Sequence, residues 1–492
     1  MDLRLRRRRP AIPLVASMVL LSTLLASGPA TASHVPSLRM FAAQSTITVE
    51  RERRDFVYLD PGVWITPLGG DFELRVARTD YESPITLTQV DSGTGAVMRT
   101  LPVEMLDGFY GLKDFAHVEV LDADGEQVLG YPMPWCPNSW YQQRLSDDSP
   151  LNSHYPYLCG GGPFTRGTIW GIDDGWASAL VGGYYYGLGW RADRRHYTIR
   201  MTIDPAWVAL LEIGEEDAVA EVNVTAVDRG TLDVASAPAG PAAPIYTPYA
   251  AVPDITRPPA DSLPDLYALP AWSMGLYQRK GRDLLGFSAT EWNEGPGTFV
   301  IEGFRGPDDP TMDAYQYFLI DGVPVGRALI GELEFHAGGR HNHWHFEEFT
   351  EYSLLDSSKT EVLVSDKQSW CLVNTDAIDL TVSNANWQGW GQDLFTSCGG
   401  PSALWIREVL DVGWGDTYSQ YVSGQAFDIT DLPNGRYYVR VHVNPTGSIR
   451  ETSSDNNVED RLIRIKGRPG QRRVVVPPWN GIDTEGYCYY CG

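Results

Sequence analysis

Apolar and polar residues alternate in short runs along most of this chain, and runs at helical spacing are scarce. Period-two alternation places successive side chains on opposite faces of an extended backbone, so it predicts half-buried β-strands. In the first half such runs cover Ser45–Val49, Val63–Thr66, Phe72–Val76, Ile85–Gln89, His117–Leu121, Tyr197–Ile203 and Ala220–Val227. Turn signals such as Asp91-Ser92-Gly93 and Asp122-Ala123-Asp124-Gly125 separate several of them, since Asp and Gly accept the backbone angles of tight turns. One helix is predicted, over Ala206–Ile213. It follows Asp204-Pro205, and a proline in the first turn loses no helical hydrogen bond. The second half repeats the strand pattern at Leu284–Ser288, Thr298–Ile301, Glu332–Phe335, His341–Phe349, Glu361–Ser365, Phe427–Ile429, Tyr437–Val443 and Asp460–Ile465.

Composition then divides the chain. Residues 235–262 are dense in Ala and Pro, including Pro253, Pro258 and Pro259, which makes a semi-rigid extended linker. The expectation is a mainly β protein with a β-sandwich-like N-terminal domain at 45–234 and a second β domain at 263–465. A Pro-, Gly- and Arg-rich tail, 466–492, is expected to hang from it. A length of 492 residues favours more than one core. The aromatic and glycine-rich stretch from Trp170 to Trp190 is expected to fill the first core and its turns.

The first 32 residues read as an export signal. Arg4, Arg6, Arg7, Arg8 and Arg9 form a basic head, Leu14 to Ala26 an apolar run, and Ala30-Thr31-Ala32 a small-residue cleavage site. No later segment is long and apolar enough to span a bilayer, so a secreted protein is expected. Six cysteines in an exported chain suggest three disulfides. Sequence proximity favours Cys136–Cys159, Cys371–Cys398 and Cys488–Cys491. The chain carries a formal charge of −24, and loss of the first 32 residues, with five Arg and one Asp, takes it to about −28. Such a field repels nucleic acid and attracts cationic partners, amines and lysine-rich proteins among them.

Four of the nine histidines lie between His336 and His345, three of them in the run His341-Asn342-His343-Trp344-His345. On a strand these three share one face. Neutral imidazole suits copper, zinc, iron or nickel, and copper binds most tightly among the divalent ions. Straight-strand geometry opposes one shared ion, because β-carbons four residues apart sit about 13 Å from each other. A single metal therefore needs a bend or bulge, for which Gly338-Gly339 leaves room. A polar strand face without metal is the alternative.

From His341 to Asp356 the chain resembles the copper strand of the lysyl oxidase family, in which alternating histidines precede a phenylalanine-containing strand and a Tyr-x-Leu-Leu turn, here Tyr352-Ser353-Leu354-Leu355. Further segments follow in family order. Lys367-Gln368-Ser369-Trp370-Cys371-Leu372 resembles the segment with the lysine of the family's quinone cofactor, and Asp416-Thr417-Tyr418 the segment with its tyrosine. Pro433-Asn434-Gly435-Arg436-Tyr437 and Val443-Asn444-Pro445 resemble the turn and strand that come next, while Leu263-Pro264-Asp265-Leu266 and Leu285-Gly286-Phe287-Ser288 resemble the domain start. The resemblance implies a lysyl-oxidase-like β domain that binds copper through His341, His343 and His345. It implies a lysine tyrosylquinone built from Lys367 and Tyr418, and oxidation of primary amines, peptidyl lysine among them, by dioxygen with release of aldehyde, hydrogen peroxide and ammonia. Asp416, two residues from Tyr418 and so on its strand face, is the candidate general base. The resemblance also implies a calcium site at Asp265, Leu266 through its carbonyl, Glu451, Asn456 and Asn457, an all-oxygen set suited to a hard cation.

Some positions depart from the family. Arg340 stands where animal members carry a cysteine, Ser453 where an aspartate is usual, and His336 lies further upstream than the family's extra histidine. The Trp- and Gly-rich loop Asn386–Gly400 is expected to shape the substrate entrance. Two other readings compete: a secreted copper- or zinc-binding β module without a quinone, and a metallohydrolase that uses Glu347 or Glu348 as base.

Overall fold

The computed structural model describes residues 35–486 except 52–54, 140–141, 182–186, 229–246, 339–340, 366–368, 390–397 and 423, and only the backbone of 337–338 and 341–342. The N-terminal signal-like segment, Lys367 and the Cys488–Cys491 pair therefore lie outside the described residues.

The fold is mainly β, as the alternation predicts. His196–Ile203 buries Tyr197, Ile199, Met201 and Ile203 and turns the intervening residues outward. In the front half, sheets that are antiparallel except where Thr46–Glu50 runs parallel to Val219–Val227 close over a core that includes Leu74, Phe115, Trp170, Trp207 and Val222. Trp170, Trp176 and Trp190 are buried there, so the described part of the aromatic stretch fills the core. The single α-helix among the described residues spans Pro205–Leu211, and the Asp204 side chain caps it by accepting from the Ala206 N–H. This satisfies one amide that the first turn leaves without a partner.

Among the described residues, three sheets make up the back half. One is the antiparallel series His341–Phe346, Val323–Gly338, Thr311–Ile320, Phe299–Phe304 and Trp405–Leu410. A second centres on Arg282–Asn293, which pairs with Leu266–Ala268, Trp272–Arg279, Trp414–Tyr418 and Ala426–Asp428. The third pairs Thr350–Leu355 with Gly435–Val443, followed by Val458–Lys466 and Arg473–Val475. Leu285, Phe287, Trp344, Tyr352, Trp370 and Val441 meet in their common core. The tail does not hang free. Arg473–Val475 adds a strand, Trp479 packs on Tyr81 at 4.7 Å, and Arg461 donates to the Pro477 carbonyl. Its prolines end regular structure, but its apolar side chains still find the core.

From Pro36 onward the described residues form one compact unit. Phe164 of the front half packs against Trp272 at 5.9 Å in a small core shared with Leu269, Trp292 and Ile378. Arg166 reaches Glu294 at 2.8 Å and Asp379 at 3.4 Å, and the Leu380 N–H donates to the Gly167 carbonyl. The disulfides Cys136–Cys159 and Cys371–Cys398 are formed. Among the described residues, no helix is long and apolar enough to cross a membrane.

Candidate active site

The histidine run is one arm of a β-hairpin. His341–Phe346 pairs antiparallel with the end of Val323–Gly338, and the register sets His336 opposite His343, Glu334 opposite His345 and Phe335 opposite Trp344. Alternation then sorts the two faces. Phe335 and Trp344 pack edge to face at 5.6 Å and anchor the hairpin in the core. The other face gathers imidazoles: the rings of His336 and His345 are 4.4 Å apart, and those of His343 and His345 are 4.8 Å apart.

Pairing across the hairpin thus meets the spacing problem of the straight strand. A directly opposed residue is closer than one four places along the same strand, so His336 joins the cluster. Sequence reasoning set His336 aside because its distance in sequence is large. His341 belongs to this strand by its backbone, and its side chain lies outside the described residues. His336 Nε2 lies 3.1 Å from Glu347 Oε1, and His345 Nδ1 lies 3.1 Å from Ser369 Oγ. A hydrogen-bond partner on one ring nitrogen orients an imidazole for a metal on the other. The donor set of clustered, oriented imidazoles fits copper.

A single segment of the chain, Ser369–Val373, links this cluster to the tyrosine. Ser369 holds His345, and Trp370 exchanges backbone hydrogen bonds with Phe346 at 2.7 and 3.0 Å. The Cys371 N–H donates to Tyr418 Oη at 2.8 Å, the Leu372 N–H to Glu408 at 3.0 Å, and the Val373 N–H to Asp416 at 3.4 Å. The ring of Trp370 covers that of Tyr418 at 4.1 Å. Lys367 is two residues upstream of Ser369 in the sequence.

His343, Asp416 and Tyr418 line one cavity of about 360 Å³, together with Trp272, Asp376 and Tyr421. Burial, and then the neighbouring Asp416, push the Tyr418 phenol well above its ordinary value. Loss of water likewise raises Asp376 in the cavity wall. Behind the ring, burial holds Glu408 well above the carboxylate range, and Asp416 adds to the effect.

This sets up a pH test of stability. An acid raised in the folded state binds its proton more tightly there, so its contribution is full below about pH 4 and falls as pH climbs towards the raised value. Glu408→Gln is therefore expected to melt above the parent at neutral and alkaline pH, with the gap closing towards pH 4 in thermal scans. A gap independent of pH would contradict it.

The residues expected at the calcium site also come together. Asn456 Nδ2 donates to Asp265 and Asn457 Nδ2 to Glu451, while the Leu266 N–H donates to Glu451. Asn456 Oδ1 and Asn457 Oδ1 are buried acceptors without a hydrogen-bond partner. Buried oxygens of this kind call for an ion or a donor, so the set fits a hard cation.

Clustered imidazoles, one of which shares a cavity with a partly buried tyrosine, define the class: a β scaffold with a candidate metal and tyrosine centre. Residues 329–473 match the family model described as lysyl oxidase. Protein-lysine 6-oxidase of Sus scrofa is 32% identical over 129 residues, 26% of this chain and 45% of that protein. Lysyl oxidase homolog 2 of Gallus gallus is 31% identical over 149 residues, 30% of this chain and 17% of that protein. Lysyl oxidase homolog 1 of Homo sapiens is 32% identical over 130 residues, 26% of this chain and 20% of that protein. The likeness to the lysyl oxidase family thus lies in the C-terminal part of the chain, over residues 329–473. The match spans less than half of each of these relatives.

Proposed function

We propose that the chain is a secreted copper-dependent amine oxidase with a lysine tyrosylquinone. The observation that carries this reading is the segment from Ser369 to Val373, which ties the histidine cluster, Tyr418 and Asp416 to one stretch of chain downstream of Lys367. Copper would be held by His343 and His345 with His341 of the same strand, and His336 stands beside them. When present, the quinone of Lys367 and Tyr418 supplies an electrophilic carbonyl for a primary amine, and copper with dioxygen supplies its formation and reoxidation.

The chain's own residues do the rest. The acidic surface draws a cationic substrate, peptidyl lysine or a smaller amine. In the cavity Asp376 offers a carboxyl to the incoming amine, and Trp370 fixes the plane of the Tyr418 ring. Asp416, on the cavity wall with that ring, would take a proton from the carbon next to the substrate nitrogen. The front half holds the segment from Asp376 to Leu380, of which Asp376 lines the cavity.

Copper-loaded protein should release hydrogen peroxide in proportion to added primary amine, and a carbonyl reagent should abolish the release. Metal binding with no amine-dependent peroxide would favour the metal-holding module instead.

Calcium would be held by Asp265, the Leu266 carbonyl, Glu451, Asn456 and Asn457, where it would stabilise the domain. At a hundredfold excess over its dissociation constant a ligand adds about 2.7 kcal/mol. Calcium is thus expected to raise the melting temperature of the parent and to leave that of Glu451→Gln unchanged. Equal shifts in both would remove the site.

A further inference from the structure

Behind the cavity wall lies a second carboxylate that the proposed chemistry does not yet use. The strand Arg282–Asn293 is buried along most of its length and sets Glu291 directly opposite Asp416 of Trp414–Tyr418. Glu291 is 0% exposed and Asp416 1%. Directly opposed residues of an antiparallel pair have β-carbons about 4.5–5.5 Å apart. Two carboxylates this close and out of water repel each other strongly unless a proton lies between them.

The surroundings make the pair asymmetric. Asp416 lines the cavity, whereas Glu291 does not. Glu291 accepts from the Tyr352 hydroxyl at 3.4 Å. Asp416 accepts from the Val373 N–H at 3.4 Å and from Thr375 Oγ1 at 3.5 Å. The titratable groups facing the pair are Tyr352, Glu408 and Tyr418 from the packed strands and Asp376, which shares the cavity and the Thr375 hydroxyl with Asp416. Burial and then the charge of Asp416 raise Glu291, the direction expected where one of two carboxyls keeps a proton.

We propose that Glu291 and Asp416 work as one proton-sharing pair, with Asp416 as the catalytic base at the cavity and Glu291 as the positioning residue behind it. This rests on the amine oxidase reading. In the resting state the pair holds one proton. When the substrate's carbon–hydrogen bond breaks, its proton forms an O–H bond on Asp416 and its two electrons pass to the quinone oxidant. The pair then holds two protons and returns one to water through the cavity. Interacting carboxyls titrate in two macroscopic steps that belong to the pair.

The test is an infrared titration of the copper-free full chain, which reads the carboxylic-acid carbonyl band directly. The Glu291 and Asp416 components, identified as differences from Glu291→Gln and Asp416→Asn, should show two steps in the parent. In Asp416→Asn the Glu291 component should collapse to a single step at least about one pH unit below the parent's upper step. A Glu291 step unmoved by Asp416→Asn would overturn the pairing, because burial alone would then account for it. If the copper-loaded parent oxidises amines, its kcat should show an inflection at the upper step that Glu291→Gln lacks. Persistence of that inflection in Glu291→Gln would also overturn the proposal. If the parent oxidises no amine, the amine oxidase reading fails while the infrared result still decides whether the pair exists.

Discussion

Tyr418→Phe, loaded with copper under oxygen, is expected to lose amine-dependent peroxide release by about a thousandfold or more, together with its reaction with carbonyl reagents. A phenylalanine ring keeps the contact with Trp370 at 4.1 Å but carries no oxygen from which a quinone can form. The change removes the acceptor of the Cys371 N–H, which costs about 1–3 kcal/mol of stability, so the variant should remain folded and still bind copper. Lys367→Arg should give the same loss, since a guanidinium that stays protonated cannot add to the oxidised ring. Full activity in either variant would exclude the proposed cofactor, and the peroxide assay with a copper titration is the direct check.

The second large effect concerns the front half. A chain truncated to residues 247–492 is expected to aggregate or to lose cooperative unfolding. Truncation strips Phe164 from Trp272 and Ile378, and Tyr81 from Trp479. It leaves Glu294 and Asp379 without Arg166, and the Trp387 and Trp414 surface without Tyr155 and Ile169. In the full chain, Phe164→Ala alone should cost about 3–5 kcal/mol, the usual range for a buried phenylalanine, measured by denaturant unfolding. Cleavage at a protease site placed between residues 235 and 246 should leave the two parts co-eluting. Separation of the parts with retained folding of each would show that the front half is a removable module.

The strands were legible in the sequence because alternation reports burial directly: Tyr197–Ile203 and Tyr437–Val443 sit inside observed strands of nearly the same bounds. The helix was legible from Asp204-Pro205. The importance of Tyr418 and Lys367 came only from resemblance, since a tyrosine among 25 carries no local signal. Cross-strand neighbours were hidden. His336 could be placed beside His343 only once the hairpin register was known, because a one-residue slip would turn it to the other face. Glu291 had the same problem, as its partner Asp416 is 125 residues away in sequence and meets it through pairing alone. The Arg- and Pro-rich tail was expected to hang from the domain, yet Trp479 and Glu485 dock it through contacts with Tyr81 and the Met274 N–H.

The central claim is that the chain makes its own redox cofactor from two side chains beside a histidine-held copper. Peptide mapping by mass spectrometry of copper-loaded, aerated protein tests this most directly. The account predicts a covalently joined pair of peptides containing Lys367 and Tyr418, absent from metal-free protein and from Lys367→Arg. Recovery of both peptides unlinked and unmodified from fully copper-loaded protein would contradict it.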